Sequence, residues 1–284
     1  MRTLGLIAGL AVGLGLLAAP ATGQDYVGEG VAKAIEQASA ARDLTGFGLR
    51  SGGFCLLGGF VEEGKELAYT ARLQAGKGYL FVGAGDADVH DLDLVVAAKD
   101  GSVHEVDVDD DSTPFVFVAP EHTGEFTITL SLASGSGSQD FSLVIVLETD
   151  GLKGSLATLE QASHELNAVI SAAAEQVNLG FDAAPNSFCL LGALLKDGAD
   201  QTLTRSFAAH TKYVIVGWSD SHAKDFDIAV KRGKEILVQD VEDDNTPVVV
   251  FECPKNERLG LNLEMFSAGK PAFAIAAVLV TSEK

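Results

Sequence analysis

Aspartates recur at two-residue steps in this chain, in Asp91-Leu92-Asp93-Leu94, Asp107-Val108-Asp109-Asp110-Asp111, Asp225-Phe226-Asp227-Ile228 and Asp240-Val241-Glu242-Asp243-Asp244. Side chains of a strand alternate between its faces, so Asp91 and Asp93 leave one face while Leu92 and Leu94 enter a core. The same holds for Asp225 and Asp227. Carboxylates crowded this way repel one another, which raises their pKa values and destabilises the fold unless water or a cation neutralises them. Calcium suits such a set, being a hard ion that takes about six to eight oxygen ligands from carboxylates, carbonyls and water. The candidate ligands are Asp91, Asp93, Asp107, Asp109 and Asp111 in one cluster and Asp225, Asp227, Asp240 and Asp244 in the other, with Asp86, Asp88 and Asp220 in the preceding loops to complete them. The competing reading is that these are solvated, turn-forming aspartates on an acidic surface.

The run from Asp107 to Asp111 begins like an EF-hand loop, but Ser112 stands where the turn glycine belongs and Val118 where the bidentate glutamate should be. His90 and His104 lie near the first cluster, yet Lys224 and Leu237 take their places near the second, so a shared transition-metal site is not expected.

No catalytic residues are assigned and no enzyme is expected, because GxSxG, HExxH, a P-loop and a dinucleotide fingerprint are all missing from the sequence. His164-Glu165-Leu166-Asn167-Ala168 lacks the second histidine of a zincin helix. A paired-carboxylate glycosidase would need two acids roughly 5 to 9.5 Å apart across a cleft. For ligand binding, the single tryptophan, Trp218, sits beside Ser219-Asp220, either exposed for stacking or partly buried at the end of a sheet.

The elements that position these residues are written twice. Phe54-Cys55-Leu56-Leu57-Gly58 recurs as Phe188-Cys189-Leu190-Leu191-Gly192, an offset of 134, and Tyr79, Val82, Gly83 and Asp86 recur as Tyr213, Val216, Gly217 and Asp220. Upstream, Glu36-Gln37-Ala38-Ser39 recurs as Glu160-Gln161-Ala162-Ser163. Each copy opens with a helical pattern, about 30 to 44 in the first and 152 to 177 in the second, where Leu152, Leu156, Leu159, Leu166 and Ile170 share one side. Short strands follow near 54–60, 66–73, 79–83, 91–98, 103–108, 114–118, 125–132 and 141–148, and again near 188–195, 201–208, 212–218, 225–231, 235–240, 247–252, 259–266 and 272–280. The expected fold is mainly β: two tandem antiparallel, jelly-roll-like β-sandwiches, residues 24–150 and 151–284, each preceded by an α-helix.

The 284 residues are 47% hydrophobic and 21% charged, enough to bury a core. Asp and Glu number 40 against 20 Lys and Arg, a net charge of −20 that repels a phosphate backbone, so nucleic acid is excluded as a partner. The copies differ: residues 24–150 carry 7 basic and 22 acidic residues, residues 151–284 carry 12 and 18. Residues 1–23, with Arg2, an apolar run from Leu4 to Ala19 and small residues after it, read as a cleaved secretory signal. The expected location is therefore secreted or periplasmic, with no membrane span after cleavage. Cys55, Cys189 and Cys253 are too few for a disulfide framework. Cys189 and Cys253 can pair, or Cys55 and Cys189 serve as small buried strand residues at matching places in the repeat.

The segments Leu73-Gln74-Ala75-Gly76-Lys77-Gly78-Tyr79, Asp91 to Leu94, Asp100-Gly101 and Pro120 to Ile128 resemble the bacterial pre-peptidase C-terminal domain. The second copy departs from that pattern at His210-Thr211-Lys212-Tyr213 and Leu259-Gly260-Leu261. The resemblance implies a non-catalytic β-sandwich module that assists secretion, stability or attachment to an extracellular polymer or envelope protein, with calcium in its acidic loops in some relatives. It also implies an alternative role, as an accessory or inhibitor-like partner of a secreted hydrolase.

Overall fold

The computed structural model describes residues 24–137, 140–152, 156–174, 178–184 and 187–281, so the signal segment and residues 153–155 and 175–177 of the second helical pattern lie outside the described residues, while Leu152, expected on that helix, instead pairs antiparallel with Leu49. The first copy comprises α1 (Gln24–Thr45), β1 (Gly48–Leu49), β2 (Phe54–Val61), β3 (Glu66–Leu73), β4 (Tyr79–Gly85), β5 (Val89–Ala98), β6 (Val103–Asp107), β7 (Phe115–Val118), β8 (Gly124–Gly135) and β9 (Asp140–Glu148). The second comprises α2 (Leu156–Ala174), β10 (Leu179–Phe181), β11 (Leu190–Leu195), β12 (Ala199–Phe207), β13 (Thr211–Ser219), β14 (Ala223–Arg232), β15 (Glu235–Gln239), β16 (Val248–Cys253), β17 (Glu257–Ala268) and β18 (Ala272–Thr281). The protein is mainly β, with two helices and antiparallel sheets.

Among the described residues the strands form three sheets. Two outer sheets, β3-β8-β5-β6 and β12-β17-β14-β15, belong to one copy each, but the inner sheet is shared: a ten-stranded sheet runs β16-β13-β18-β11-β2-β9-β4-β7, with β1 and β10 added on β9 and β18. The copies join where β2 pairs antiparallel with β11, and at the centre of that pairing Leu57 faces Leu191, its own counterpart in the repeat. The repeated Phe-Cys-Leu-Leu-Gly segment is thus self-complementary, like a two-fold dimer contact made within one chain.

The layering explains the two kinds of strand in the sequence. Strands β2, β4 and β9 are buried along their whole length, β4 and β9 beneath helix α1 and β2 between β9 and β11 at the middle of the shared sheet. They accordingly read as nearly continuous apolar runs. Outer strands alternate, as β3 does with every second residue buried. Helix α1 lies on β4 and β9, α2 on β13 and β18, and the helices touch each other.

Helix α1 begins six residues before the expected start. Gly28 and Gly30 argue against a helix there by propensity, but a Cβ on Gly30 would lie 2.9 Å from the Phe141 ring and 3.2 Å from Leu143, so glycine permits the close approach of helix to sheet. Its sheet-facing stripe is Val27, Val31, Ala34 and Ala38, whereas Ile35 is only partly buried. Gly46, in the left-handed region at φ 72°, ends the helix and donates its N–H to the Arg42 carbonyl at 2.7 Å. In α2 the expected Leu156, Leu159, Leu166 and Ile170 are buried, with Ala162. Strands β1 and β10 are too short to show a period in the sequence.

Candidate functional site

The outer faces of the two four-stranded sheets carry the predicted carboxylates. On β5, Leu92 and Leu94 are fully buried while Asp91 and Asp93 are part-exposed; on β14, Phe226 and Ile228 are fully buried and Asp225 and Asp227 part-exposed. A bulge at Asp91 and another at Asp225 interrupt pairing with β8 and β17 at matching places. The N–H of Leu92 donates to the Asp111 carbonyl at 2.8 Å, and that of Phe226 to the Asp244 carbonyl at 2.9 Å, drawing each acidic loop across its strand.

Within those loops four aspartates have a building role. Asp107 Oδ1 accepts the Asp109 N–H at 3.2 Å and Oδ2 the Phe115 N–H at 2.9 Å. Asp240 repeats this with Glu242 at 3.2 Å and Val248 at 3.3 Å. Asp111 Oδ1 accepts the Thr113 N–H and Asp244 Oδ1 the Thr246 N–H, both at 2.7 Å. Side-chain oxygens of this kind stabilise turns by standing in for a backbone acceptor. Asp109 is exposed.

What remains is a set of unsettled charges. Asp91 Oδ1 and Asp227 Oδ1 are buried without a hydrogen-bond partner. Burial raises the pKa of Asp91, and so do Asp110 and Asp111; burial raises Asp93, with Asp91 and Asp107 adding to it. Burial likewise raises Asp225, helped by Asp243, Asp244 and Asp240. Asp227 is pushed up to about 6 by burial and then by Asp225, Asp240 and Glu264. Glu264 faces Asp227 from β17, where Ser131 faces Asp93 in the first copy. Asp110, Asp243 and Glu264 therefore belong to clusters from which the two-residue step omits them. Among the described residues, no three His, Cys, Asp or Glu side chains are already converged as a metal centre.

Asp86 and Asp220 lie elsewhere, in the turns after β4 and β13, and are buried. Asp86 Oδ1 accepts the Asp88 N–H at 2.9 Å and Oδ2 the Phe141 N–H at 2.8 Å. Asp220 does the same for His222 at 2.8 Å and Phe273 at 2.9 Å. Burial raises the pKa of Asp86, against the pull of these amides.

Trp218 is half-buried and packs against the core. A Cβ on the preceding Gly217 would meet Ile228 and Phe226 of the outer sheet, so alternation turns Trp218 to the helix side. All three cysteines are free and buried, so the pairing of Cys189 with Cys253 is not made. Burial pushes the Cys55 and Cys189 thiols up to about 12, far from thiolate chemistry. His104 packs edge-on against Phe126 at 5.0 Å between ring centroids.

A cleft of about 570 Å³ opens between the helices, lined by Glu36, Ser39, Glu160 and Ser163 from the repeated Glu-Gln-Ala-Ser segment together with His164 and Asn167. The repeat was visible in the sequence; that its two copies face one cleft follows only from the pairing of β2 with β11. No described helix is long and apolar enough to cross a membrane.

No protein-family model matches the chain, and no curated protein matches it in sequence. Among solved structures, it matches the tandem CBM22-1-CBM22-2 domain of Xyn10C from Paenibacillus barcinonensis at 10% identity and a TM-score of 0.24, over 83% of this chain and 99% of that one. It also matches the M60 catalytic domain with two CBM51 domains of ZmpB from Clostridium perfringens, at 9% identity and a TM-score of 0.24, over 76% of this chain and 33% of that one. A third match is the delta-endotoxin Cry8Ea1 from Bacillus thuringiensis, at 10% identity and a TM-score of 0.29, over 86% and 55% of the two chains. These similarities are distant, and superpositions this loose carry no function to the chain.

Proposed function

We propose that this protein is an exported, non-catalytic binding and structural module, a doubled relative of the pre-peptidase C-terminal domain, stabilised by calcium on the outer faces of its two four-stranded sheets. One observation carries the reading: both copies hold an Asp-x-Asp pair on the same strand, crossed by an acidic loop, with carboxylates destabilised by burial and by one another. A cation that accepts carboxylate, carbonyl and water oxygens relieves that repulsion without a preformed cage. The ligand of the module is an extracellular polymer or envelope protein.

The experiment is a thermal melt of the purified protein in millimolar calcium, in magnesium and in chelator, paired with affinity electrophoresis on insoluble and soluble polysaccharides. Calcium present at about a hundred times its Kd adds about 2.7 kcal/mol by linkage. A calcium-selective rise that shrinks in the combined Asp93→Asn and Asp227→Asn variant supports the reading. Equal effects of calcium and magnesium overturn the calcium site, and turnover of a retained polymer overturns the non-catalytic role.

A further inference from the structure

The turns after β4 and β13 offer an internal control. Both are anchored by the same bonds: Asp86 and Asp220 each accept two backbone N–H groups, and each donates its own N–H back, to Phe141 O at 3.0 Å and to Phe273 O at 3.1 Å. The strand that answers each turn also donates in the same way, Ser136 N–H to Asp88 O at 2.9 Å and Gly269 N–H to His222 O at 3.0 Å.

Around this common frame the side chains differ as a group. Asp88 stands where the second copy has His222, His90 where it has Lys224, and Asp140 where it has Ala272. His222 Nδ1 lies 3.2 Å from Asp220 Oδ1, so in this turn the second copy answers its buried carboxylate with a side chain of its own. In the first copy Asp140 is 1% exposed, both of its oxygens lack a partner at good hydrogen-bonding geometry, and the one backbone donor acting on it is the Gly137 amide. The charged groups acting on it are Asp86, Asp88 and His90. A buried carboxylate so short of donors is costly for a core to hold.

The chain also makes room for it. A Cβ on Gly135 would collide with the Asp140 carboxylate, whereas the counterparts of Gly135 and Asp140 in the second copy are Ala268 and Ala272. The first copy thus sets a carboxylate against a glycine where the second has two alanines.

We infer that calcium draws Asp140, Asp86 and Asp88, which have not converged on their own, into a site that the first copy has and the second lacks, separate from the acidic faces of the outer sheets. Asp140 supplies the carboxylate that the chain satisfies least. Asp86 supplies lone pairs beyond the two that accept amides, and Asp88, whose Oδ1 accepts the Ser136 hydroxyl at 3.0 Å, supplies the third carboxylate. All donors are oxygens, and irregular completion by carbonyls and water favours calcium over magnesium, which demands a near-ideal octahedron.

The test counts calcium per chain by isothermal titration and reads the thermal midpoint in calcium, magnesium and chelator. The double variant Gly135→Ala with Asp140→Ala, which copies the second half, binds one calcium fewer and keeps its fold in chelator. Asp140→Asn, which preserves shape, also loses one calcium, and it decides the matter should the double variant fail to fold. The outer-face variant Asp93→Asn with Asp227→Asn leaves this site occupied, so failure of the outer-face reading is seen separately. Conversely, His222→Asp, Ala268→Gly and Ala272→Asp together add one calcium to the second copy. An unchanged calcium count in Asp140→Asn overturns the site, and equal uptake of magnesium overturns its assignment to calcium.

Discussion

The two halves of this protein share a backbone frame and solve the same electrostatic problem in different ways. In the first copy, Arg50 and Glu148 are both buried but are served by separate partners: Arg50 Nη2 donates to the Arg72 carbonyl at 2.9 Å, while Glu148 Oε1 accepts the N–H and hydroxyl of Ser51 at 3.0 Å and lies 3.6 Å from Lys77 Nζ. In the second, Arg205 and Asp182 form a direct ion pair, buried on both sides, and Arg205 Nη1 also donates to the Phe188 carbonyl at 2.8 Å. The surroundings of the turns after β4 and β13 show the same divergence, with three acids and a histidine around one and an acid, a histidine and a lysine around the other. Duplication kept the hydrogen-bonded frame because every buried N–H must find an acceptor. It left the charges free to drift wherever a counter-charge, from the chain or from solution, could follow.

The largest expected effect separates the two buried arginines. Asp182→Ala strands Arg205 without its counter-charge and costs about 3–5 kcal/mol in urea unfolding. Glu148→Gln keeps acceptor capacity beside Ser51 and costs about 1–2 kcal/mol, the scale of a hydrogen bond to a charged group. Equal losses would mean that Arg50 depends on Glu148 as Arg205 depends on Asp182.

A smaller effect separates the outer sheets. Asp227 is raised to about 6 in the fold, against an ordinary value near 3.9, so the folded state holds its proton more tightly than the unfolded chain does. That contribution to stability is complete below about pH 4 and is lost as pH rises through about 6. In chelator, Asp227→Asn therefore stabilises the protein at pH 7.5 by about 1 kcal/mol after solvent screening, and the gain disappears by pH 3.5. The matching Asp93→Asn gains less, because Ser131 rather than a glutamate faces Asp93. Denaturant melts across this pH range check both, and a gain that persists at pH 3.5 would have another cause.

The smallest contrast is one the structure expects to be absent. Cys55 and Cys189, at matching places in β2 and just before β11, are equally buried, and burial holds both thiols at about 12. Neither reacts with Ellman's reagent in the native protein, and both react after denaturation. Labelling of one alone would show that the join between the copies opens on one side.

Much of the fold was legible in the residues. The strand runs near 66–73, 79–83 and 141–148 match β3, β4 and β9 to within two residues, because alternation and continuous apolar runs each record which faces are covered. The outer acidic faces were legible for the same reason, since the step from Asp91 to Asp93 is itself the period of a strand. Asp140 was not. It follows the Gly-Ser loop, 54 positions from Asp86, and only the hydrogen bonding of β9 to β4 brings them together.

By itself the sequence determined the duplication, the periods of the strands and helices, and the excess of negative charge, because these are properties of local spacing and composition. The tertiary structure decided that the repeated Phe-Cys-Leu-Leu-Gly segments pair with each other, that the two copies share one ten-stranded sheet, and that a carboxylate lies buried opposite a glycine in one copy only. Pairing partners and burial depend on which distant segments meet, and local periodicity along the chain does not record that.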